Sequence, residues 1–178
     1  AAKSPPNIIF LLADDMRQDM MSFAGNTILQ TPNLDRLARA GIYFNNAYVT
    51  TAICSVSRAS IMSGQHARRH GLWWFGRPFS PEAWQATSPM QPKQAGYQIG
   101  FIGKYGMANY QMASEDFDYW AGFDGQGQYV QQDEAGNYLH LTRKMGNQML
   151  NFLDQHGSGD APFALSVSFK APHCQDGA

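Results

Sequence analysis

Short apolar runs that alternate with helix-like stretches are the feature that most constrains how this chain can fold. Residues 7–13 (NIIFLLA), 97–102 (YQIGFI) and 162–169 (PFALSVSF) each predict a strand. The first run is unbroken by polar residues, a pattern typical of a strand buried on both faces of a sheet. Strands separated by helices predict an α/β fold with a mainly parallel sheet and helices on both faces.

The helix signals lie between these runs. In residues 31–41, Thr31 can cap the first backbone N–H groups and Gly41 can end the helix. Residues 57–62 read as the start of another helix. In residues 138–156, leucine, methionine and phenylalanine recur at helical spacing, which predicts an amphipathic helix.

The remaining segments are less regular. Residues 42–49 (IYFNNAYV) favour a further extended segment, and residues 65–95 favour loop because they lack a clear period. Residues 114–137 are dense in glycine, aspartate, glutamine and aromatic residues, and we expect a surface excursion there.

Composition narrows the possible partners. The 178 residues are 44% apolar and 15% charged with a net charge of -1, which is typical of one soluble globular unit and gives no reason to expect nucleic acid as a partner. No apolar run is long enough to span a bilayer. The chain begins AAKSPP without methionine, as a periplasmic or secreted protein does after its leader is removed; an artificial start is the alternative.

Chemically useful residues follow the predicted strands. Asp14 and Asp15 follow the first, Lys104 the second and His173 the last, while Cys54 stands where an extended stretch leads into a helix. Each of them alone has an ordinary structural interpretation. Because the carboxyl ends of parallel strands share one edge of a sheet, we expect these side chains to meet there.

Such a group of residues could transfer a group from an oxygen ester. Adjacent carboxylates suit Ca²⁺ or Mg²⁺. Lysine, arginine and a helix N-terminus stabilise a tetrahedral oxyanion. His173 or Lys104 could protonate the leaving group.

Five segments of the chain resemble, in the same order, the type I sulfatases of the alkaline phosphatase superfamily. They are NIIFLLADD, TPNLDRLARAGIYFNNAY, CSVSRASIMSG, GYQIGFIGKYG and SFKAPH, and together they cover nearly the whole chain. The resemblance implies that residues 1–178 are the amino-terminal portion of a sulfatase catalytic domain. The alkaline phosphatase-like fold would then be incomplete here, with its carboxy-terminal part and a second domain absent from the chain.

By the same resemblance, Cys54 is the residue that a maturation enzyme oxidises to formylglycine. One hydroxyl of the hydrated aldehyde attacks sulfur, and the other loses its proton as sulfate is expelled and the aldehyde reforms. The formylglycine oxygen is also a metal ligand in that family. Val56 stands where the motif usually has proline, and Gly106 where many relatives have histidine.

The resemblance assigns roles to the other residues of the site. It makes Asp14 and Asp15 ligands of a divalent cation, usually Ca²⁺, with Mg²⁺ possible. Arg58 would hold the aldehyde diol, and Lys104 would contact the sulfate group. His173 would lie near the leaving-group oxygen.

The sequence leaves several alternatives open. A phosphate or phosphonate ester hydrolase could use the same scaffold, and a non-catalytic domain could keep Cys54 unmodified or pair it with Cys174. The preferred substrate is a sulfated carbohydrate, since SFKAPH is similar to the same segment of bacterial sulfatases that act on polysaccharides or glycosaminoglycans. Trp73, Trp74 and Trp84 could stack on sugar rings or cover the core.

Overall fold

The computed structural model describes residues 5–108 and 110–175. The strands are β1 (Ile8–Asp14), β2 (Gln98–Lys104), β3 (Tyr119–Phe123), β4 (Val130–Gln132), β5 (Tyr138–His140) and β6 (Phe163–Pro172). The α-helices are α1 (Pro32–Ala40), α2 (Cys54–Ser63), α3 (Ala67–His70), α4 (Pro81–Gln85), α5 (Met90–Gln94), α6 (Tyr110–Asp116) and α7 (Leu141–His156). Short 3₁₀ helices span Gln18–Met20 and Ser22–Ala24.

Four parallel strands form the main sheet in the order β1-β6-β2-β3. β6 lies in the middle, with Ile8 of β1 opposite its Ala164 and Gln98 of β2 opposite its Phe163. The predicted parallel sheet is therefore confirmed. Because all four strands run the same way, their carboxyl ends open onto one edge.

Helices cover both faces of this sheet. Along β2, Phe101 packs with α2, α4 and α5 in one apolar core, and Ile102 packs with α7 in a second. Adjacent residues of a strand point to opposite faces, so the two cores lie on opposite sides. Among the described residues, no helix is both long enough and apolar enough to cross a bilayer.

The prediction that the first strand is buried on both faces was wrong. Ile8, Ile9, Phe10 and Leu11 are 43–47% exposed. The reason is topological: in the described part of the chain β1 pairs only with β6, at one edge of the sheet. The apolar run is typical of a buried strand, but among the described residues β1 has a neighbouring strand on one side only.

Three other segments differ from their predictions. Residues 42–49 form no strand, and residues 65–95 contain α3, α4 and α5 instead of loop alone. These helices are too short to show a hydrophobic period, and only the Ser80 side chain, which accepts a hydrogen bond from the Ala83 amide at 3.2 Å, marks a start. Within residues 114–137, β3 is a strand of the main sheet and not a surface excursion.

Asp35 explains why Thr31 does not cap α1 as predicted. The Thr31 hydroxyl donates to the Asp35 carboxylate at 2.8 Å, and the carboxylate also accepts from the Ser22 hydroxyl at 2.7 Å and the Phe23 amide at 3.0 Å. The hydrogen bond from Ser22 is the main cause of the lowered pKa of Asp35. The hydrogen bonds from Thr31 and the Phe23 amide also lower this pKa, whereas burial of the carboxyl group raises it.

Candidate active site

Two adjacent aspartates end the edge strand in different environments. Asp14 is the last residue of β1, and it is buried. The side chain of Asp15 is 67% exposed, and its backbone has a φ of 60°, a left-handed conformation that is uncommon outside glycine. The tight turn at Asp15 therefore sends the chain away from the sheet directly after the buried carboxylate.

Cys54 is the first residue of α2, three residues earlier than the sequence indicated. The preceding residue, Ile53, offers no side chain to cap the helix, so the first turn presents backbone N–H groups without a side-chain acceptor. A helix N-terminus of this kind favours negative charge. Cys54 is a half-buried free thiol, so the pairing with Cys174 that the sequence left open does not occur in this structure.

Arg58 lies one helical turn after Cys54 and is buried. One guanidinium nitrogen, Nη1, donates to the Lys104 carbonyl at 2.8 Å and to the Ser168 hydroxyl, and Nη2 lies 3.4 Å from Asp14 Oδ2. Burial lowers the pKa of Arg58, and the negative charge of Asp14 opposes this. Nε of Arg58 is the only buried side-chain nitrogen or oxygen of the described residues that lacks a hydrogen-bond partner.

Lys104 ends β2 and is 1% exposed. Its Nζ donates to Asp14 Oδ2 at 2.5 Å and to Gln126 Oε1 at 2.5 Å. The Asp14 carboxylate therefore lies between two buried cations, Lys104 and Arg58. Carboxylate and cations hold each other in place, which offsets part of the cost of taking the charges out of water.

His173 follows β6 and reaches the second aspartate. Its Nδ1 lies 2.8 Å from the Cys174 carbonyl oxygen, and its Nε2 lies 3.6 Å from Asp15 Oδ2. Because a carbonyl oxygen only accepts, this contact requires the proton on Nδ1. The other ring nitrogen then faces the exposed carboxylate and the carboxyl edge of the sheet.

A cavity of about 240 Å³ lies at this edge, and Asp14, Asp15, Cys54 and Arg58 all line it. Lys104 and His173 do not line this cavity, but each contacts one of its two aspartates. The structure thus connects all six residues that the sequence singled out. Arg58 and the start of α2 give this cavity two groups that favour negative charge.

The same residues do not form a complete metal site. Across residues 5–108 and 110–175, no group of three or more His, Cys, Asp or Glu side chains is placed to hold a metal ion. Asp14 is engaged by Lys104, which leaves Asp15 as the exposed carboxylate. A Ca²⁺ ion takes 6–8 oxygen ligands, so further donors would have to come from outside the described residues.

Sequence reasoning missed a loop, residues 124–129, that joins two of the site residues. Gln126 accepts from Lys104, and the Tyr129 hydroxyl donates to the His173 carbonyl at 2.5 Å. The loop follows β3, which the sequence did not reveal. Contacts between residues so far apart along the chain leave no local pattern.

Lys170 was missed as well, although it lies within the SFKAPH segment. It is 1% exposed, and its Nζ donates to the Gly127 carbonyl at 2.8 Å and to Gln175 Oε1 at 3.0 Å. The same nitrogen lies 4.6 Å from the centroid of the Tyr129 ring, within the range of a cation–π contact. Lys170 therefore ties the loop to the segment that carries His173.

Known proteins are similar to this chain in sequence and in fold. The Sulfatase family matches residues 6–177. The chain is 34% identical over 177 residues to the N-acetylglucosamine-6-O-sulfatase of Bacteroides thetaiotaomicron. The alignment covers 94% of this chain and 31% of that protein. A solved structure of a protein in complex with its substrate, D-glucosamine-2-N,6-O-disulfate, matches with a TM-score of 0.78 and 32% identity over 94% of this chain and 35% of that one.

A phosphonate monoester hydrolase of Agrobacterium radiobacter also matches, with a TM-score of 0.69 and 19% identity over 96% of this chain and 42% of that one. At this identity the likeness concerns the fold alone. These structures confirm the predicted α/β, alkaline phosphatase-like fold. The chain spans about a third of the length of the curated relative and of the substrate complex. On the match over residues 6–177, the chain belongs to the sulfatase family.

Proposed function

We propose that the full-length natural protein is a sulfuric ester hydrolase that acts on a sulfated carbohydrate. The observation that carries the proposal is the position of Cys54, which begins α2 in a cavity that Asp14, Asp15 and Arg58 also line. The related N-acetylglucosamine-6-O-sulfatase and the glucosamine disulfate complex support a sulfated sugar as the substrate class. Residues 1–178 are, in this proposal, the amino-terminal portion of the catalytic domain.

Residue 54 is the nucleophile in this proposal, after a maturation enzyme has converted Cys54 to formylglycine. The hydrated aldehyde supplies a hydroxyl for attack on sulfur and a second hydroxyl whose deprotonation allows sulfate to leave. Arg58 and the uncapped first turn of α2 stabilise the negative charge at this position. Contacts with Ser168 and the Lys104 carbonyl keep the Arg58 guanidinium in a fixed orientation.

Lys104 and His173 complete the reaction. An ammonium group has three N–H donors, and Asp14 and Gln126 accept two from Lys104, so the third can bind a sulfate oxygen. His173 presents Nε2 toward the same edge of the sheet and can hold the proton that the leaving sugar oxygen takes. In this proposal the full-length protein is periplasmic or secreted.

Asp14 and Asp15 would be two ligands of a Ca²⁺ or Mg²⁺ ion, together with the oxygen of residue 54. The remaining ligands would come from outside the described residues, because these provide no complete site. When bound, such an ion polarises the ester and neutralises developing charge.

Removal of the nucleophile tests the proposal. The full-length natural protein is produced with a formylglycine-generating enzyme, and sulfate release from glucosamine 6-O-sulfate is measured. We expect Cys54→Ala to lower kcat by about 10⁴-fold or more, as loss of a nucleophile does in other hydrolases. Cys174→Ala is the matched control and should keep most of the activity. Equal activity of the Cys54→Ala variant and the wild type would disprove the assignment.

The second candidate, which the sequence left open, is a phosphate or phosphonate ester hydrolase on the same scaffold. Rates on matched sulfate and phosphonate monoesters separate the two. A higher kcat/KM for the sulfate ester is the result that our proposal requires. A non-catalytic domain would hydrolyse neither ester and would keep the Cys54 thiol.

A further inference from the structure

A second cavity is lined by Lys104, the lysine that contacts Asp14 of the candidate active site. Its volume is about 340 Å³, and its lining includes Phe75, Gly106, Asp124 and Gln126. We refer to it as the Gly106 cavity. This volume lies within the range of small-molecule sites in proteins.

Gly106, in the lining of this cavity, packs against two residues of the candidate active site. A Cβ atom at Gly106 would lie 2.9 Å from Cδ and 3.0 Å from Nε of Arg58, and 3.5 Å from Cε of Lys104. The φ of Gly106 is +67°, a backbone conformation that residues with a side chain rarely adopt. The absence of a side chain therefore lets the Gly106 backbone pack directly against Arg58 and Lys104. Lys104 itself lines the cavity.

Gln126 contacts Lys104, which lines the Gly106 cavity and donates to Asp14 in the lining of the cavity at Cys54. It lines the Gly106 cavity, and its Oε1 accepts a hydrogen bond from the Lys104 ammonium at 2.5 Å. A group that binds against Gln126 is therefore one side chain away from the nitrogen that would hold sulfate.

Phe75 lines the cavity and belongs to an exposed aromatic segment, residues 73–75. Phe75 is 41% exposed, and the Trp74 ring packs edge-on against it with a centroid distance of 5.4 Å. Trp74 is 65% exposed, and the neighbouring Trp73 is 56% exposed. Trp84, in contrast, is 1% exposed and belongs to the core. Exposed aromatic side chains that are grouped beside a pocket provide apolar faces for a ligand ring.

The polar lining indicates which kind of ring fits. Asp124 is exposed, and the Gly125 amide donates to its Oδ1 at 2.7 Å, which restricts the carboxylate. A carboxylate accepts hydrogen bonds from hydroxyl groups, but it repels a further sulfate or carboxylate group. Gln126 adds an amide that can donate or accept. Aromatic surface next to acceptors of this kind fits a neutral, hydroxyl-rich ring.

We propose that the Gly106 cavity is the subsite for the sugar ring of the substrate, which stacks on Phe75 and donates ring hydroxyls to Asp124. The inference rests on the proposed function and adds a preference: the ring positions that face Asp124 carry hydroxyls and no second anionic group. The ester sulfate then points past Gln126 toward Lys104 and residue 54.

The test compares two sulfate esters in the full-length, matured natural protein. Glucosamine 6-O-sulfate carries ring hydroxyls, and 4-nitrophenyl sulfate carries none. We expect Asp124→Asn to raise KM for the saccharide about tenfold, as the loss of a hydrogen bond to a charged group does, with little change for the aryl ester. Phe75→Ala should also raise KM for the saccharide, by about three- to tenfold.

Matched controls are Asp160→Asn and Phe44→Ala, exposed residues that do not line the cavity, and both should leave the two KM values unchanged. An equal effect of Asp124→Asn on the two KM values, or no effect on either, would overturn the inference and leave the proposed function intact. A wild-type protein that hydrolyses the aryl ester but not the saccharide would also overturn it. Hydrolysis of neither ester by the wild type would overturn the proposed function together with this inference.

Discussion

Asp14 carries most of the electrostatic organisation of the candidate site. Its carboxylate lies 2.5 Å from the Lys104 ammonium and 3.4 Å from the Arg58 guanidinium, and all three side chains are buried. Buried ion pairs contribute little net stability, since their desolvation consumes most of the Coulombic gain. A group of three buried charges at the edge of a sheet therefore points to chemistry more than to folding.

Asp35 has the opposite character, because its hydrogen bonds hold a local structure together. Its pKa is lowered in the folded protein, so its contribution to stability is fully present above the unfolded pKa near 4 and is lost as the pH falls through the folded value. We expect the unfolding free energy of the wild type to decrease over this acid range, and that of Asp35→Asn to decrease less steeply. Urea unfolding at a series of pH values measures both slopes.

The exposed Asp160→Asn variant is the control for that experiment and should reproduce the wild-type slope. Identical slopes for the wild type and Asp35→Asn would show that the hydrogen bonds around this carboxylate do not favour its ionised form.

At the scale of elements, the loop at residues 124–129 acts as a brace between two strand ends. It contacts Lys104 at the end of β2 through Gln126, and His173, directly after β6, through Tyr129. It also contacts Lys170, within β6, through Gly127 and the Tyr129 ring. The sequence predicted the strands that carry the site because each ends an apolar run with a polar residue. It did not predict the brace, since the five residues of β3 stand within a segment dense in glycine, aspartate and glutamine, and the contacts join distant parts of the chain.

Lys170 is therefore expected to be a positioning residue for His173. In the full-length protein, Lys170→Met should lower kcat by about 10- to 100-fold with a smaller change in KM, because a misplaced proton donor weakens transition-state interactions more than substrate binding. Steady-state kinetics on a sulfated saccharide measures this split. Lys144→Met is the control, since that lysine makes one long contact of 3.4 Å to Gln131. A raised KM with an unchanged kcat would assign Lys170 to substrate binding instead.

At the scale of the whole molecule, the open edge at β1 and the length of the relatives agree. The matched relative is about three times as long as this chain, and the four apolar residues at the start of β1 are 43–47% exposed. An unpaired apolar edge favours association with another segment. We infer that further structure covers this edge in the complete protein. The apolar run was correctly assigned to a strand, and its exposure follows from the place of β1 at the edge of the sheet.

The state of residue 54 tests the central claim most directly. The full-length protein is purified in active form from its natural host, and the peptide that contains residue 54 is analysed by mass spectrometry. Our account predicts the mass of formylglycine in place of cysteine and reaction of that peptide with a hydrazide probe, despite Val56 at the motif's usual proline position. An active sulfatase in which Cys54 remains an unmodified thiol would contradict it.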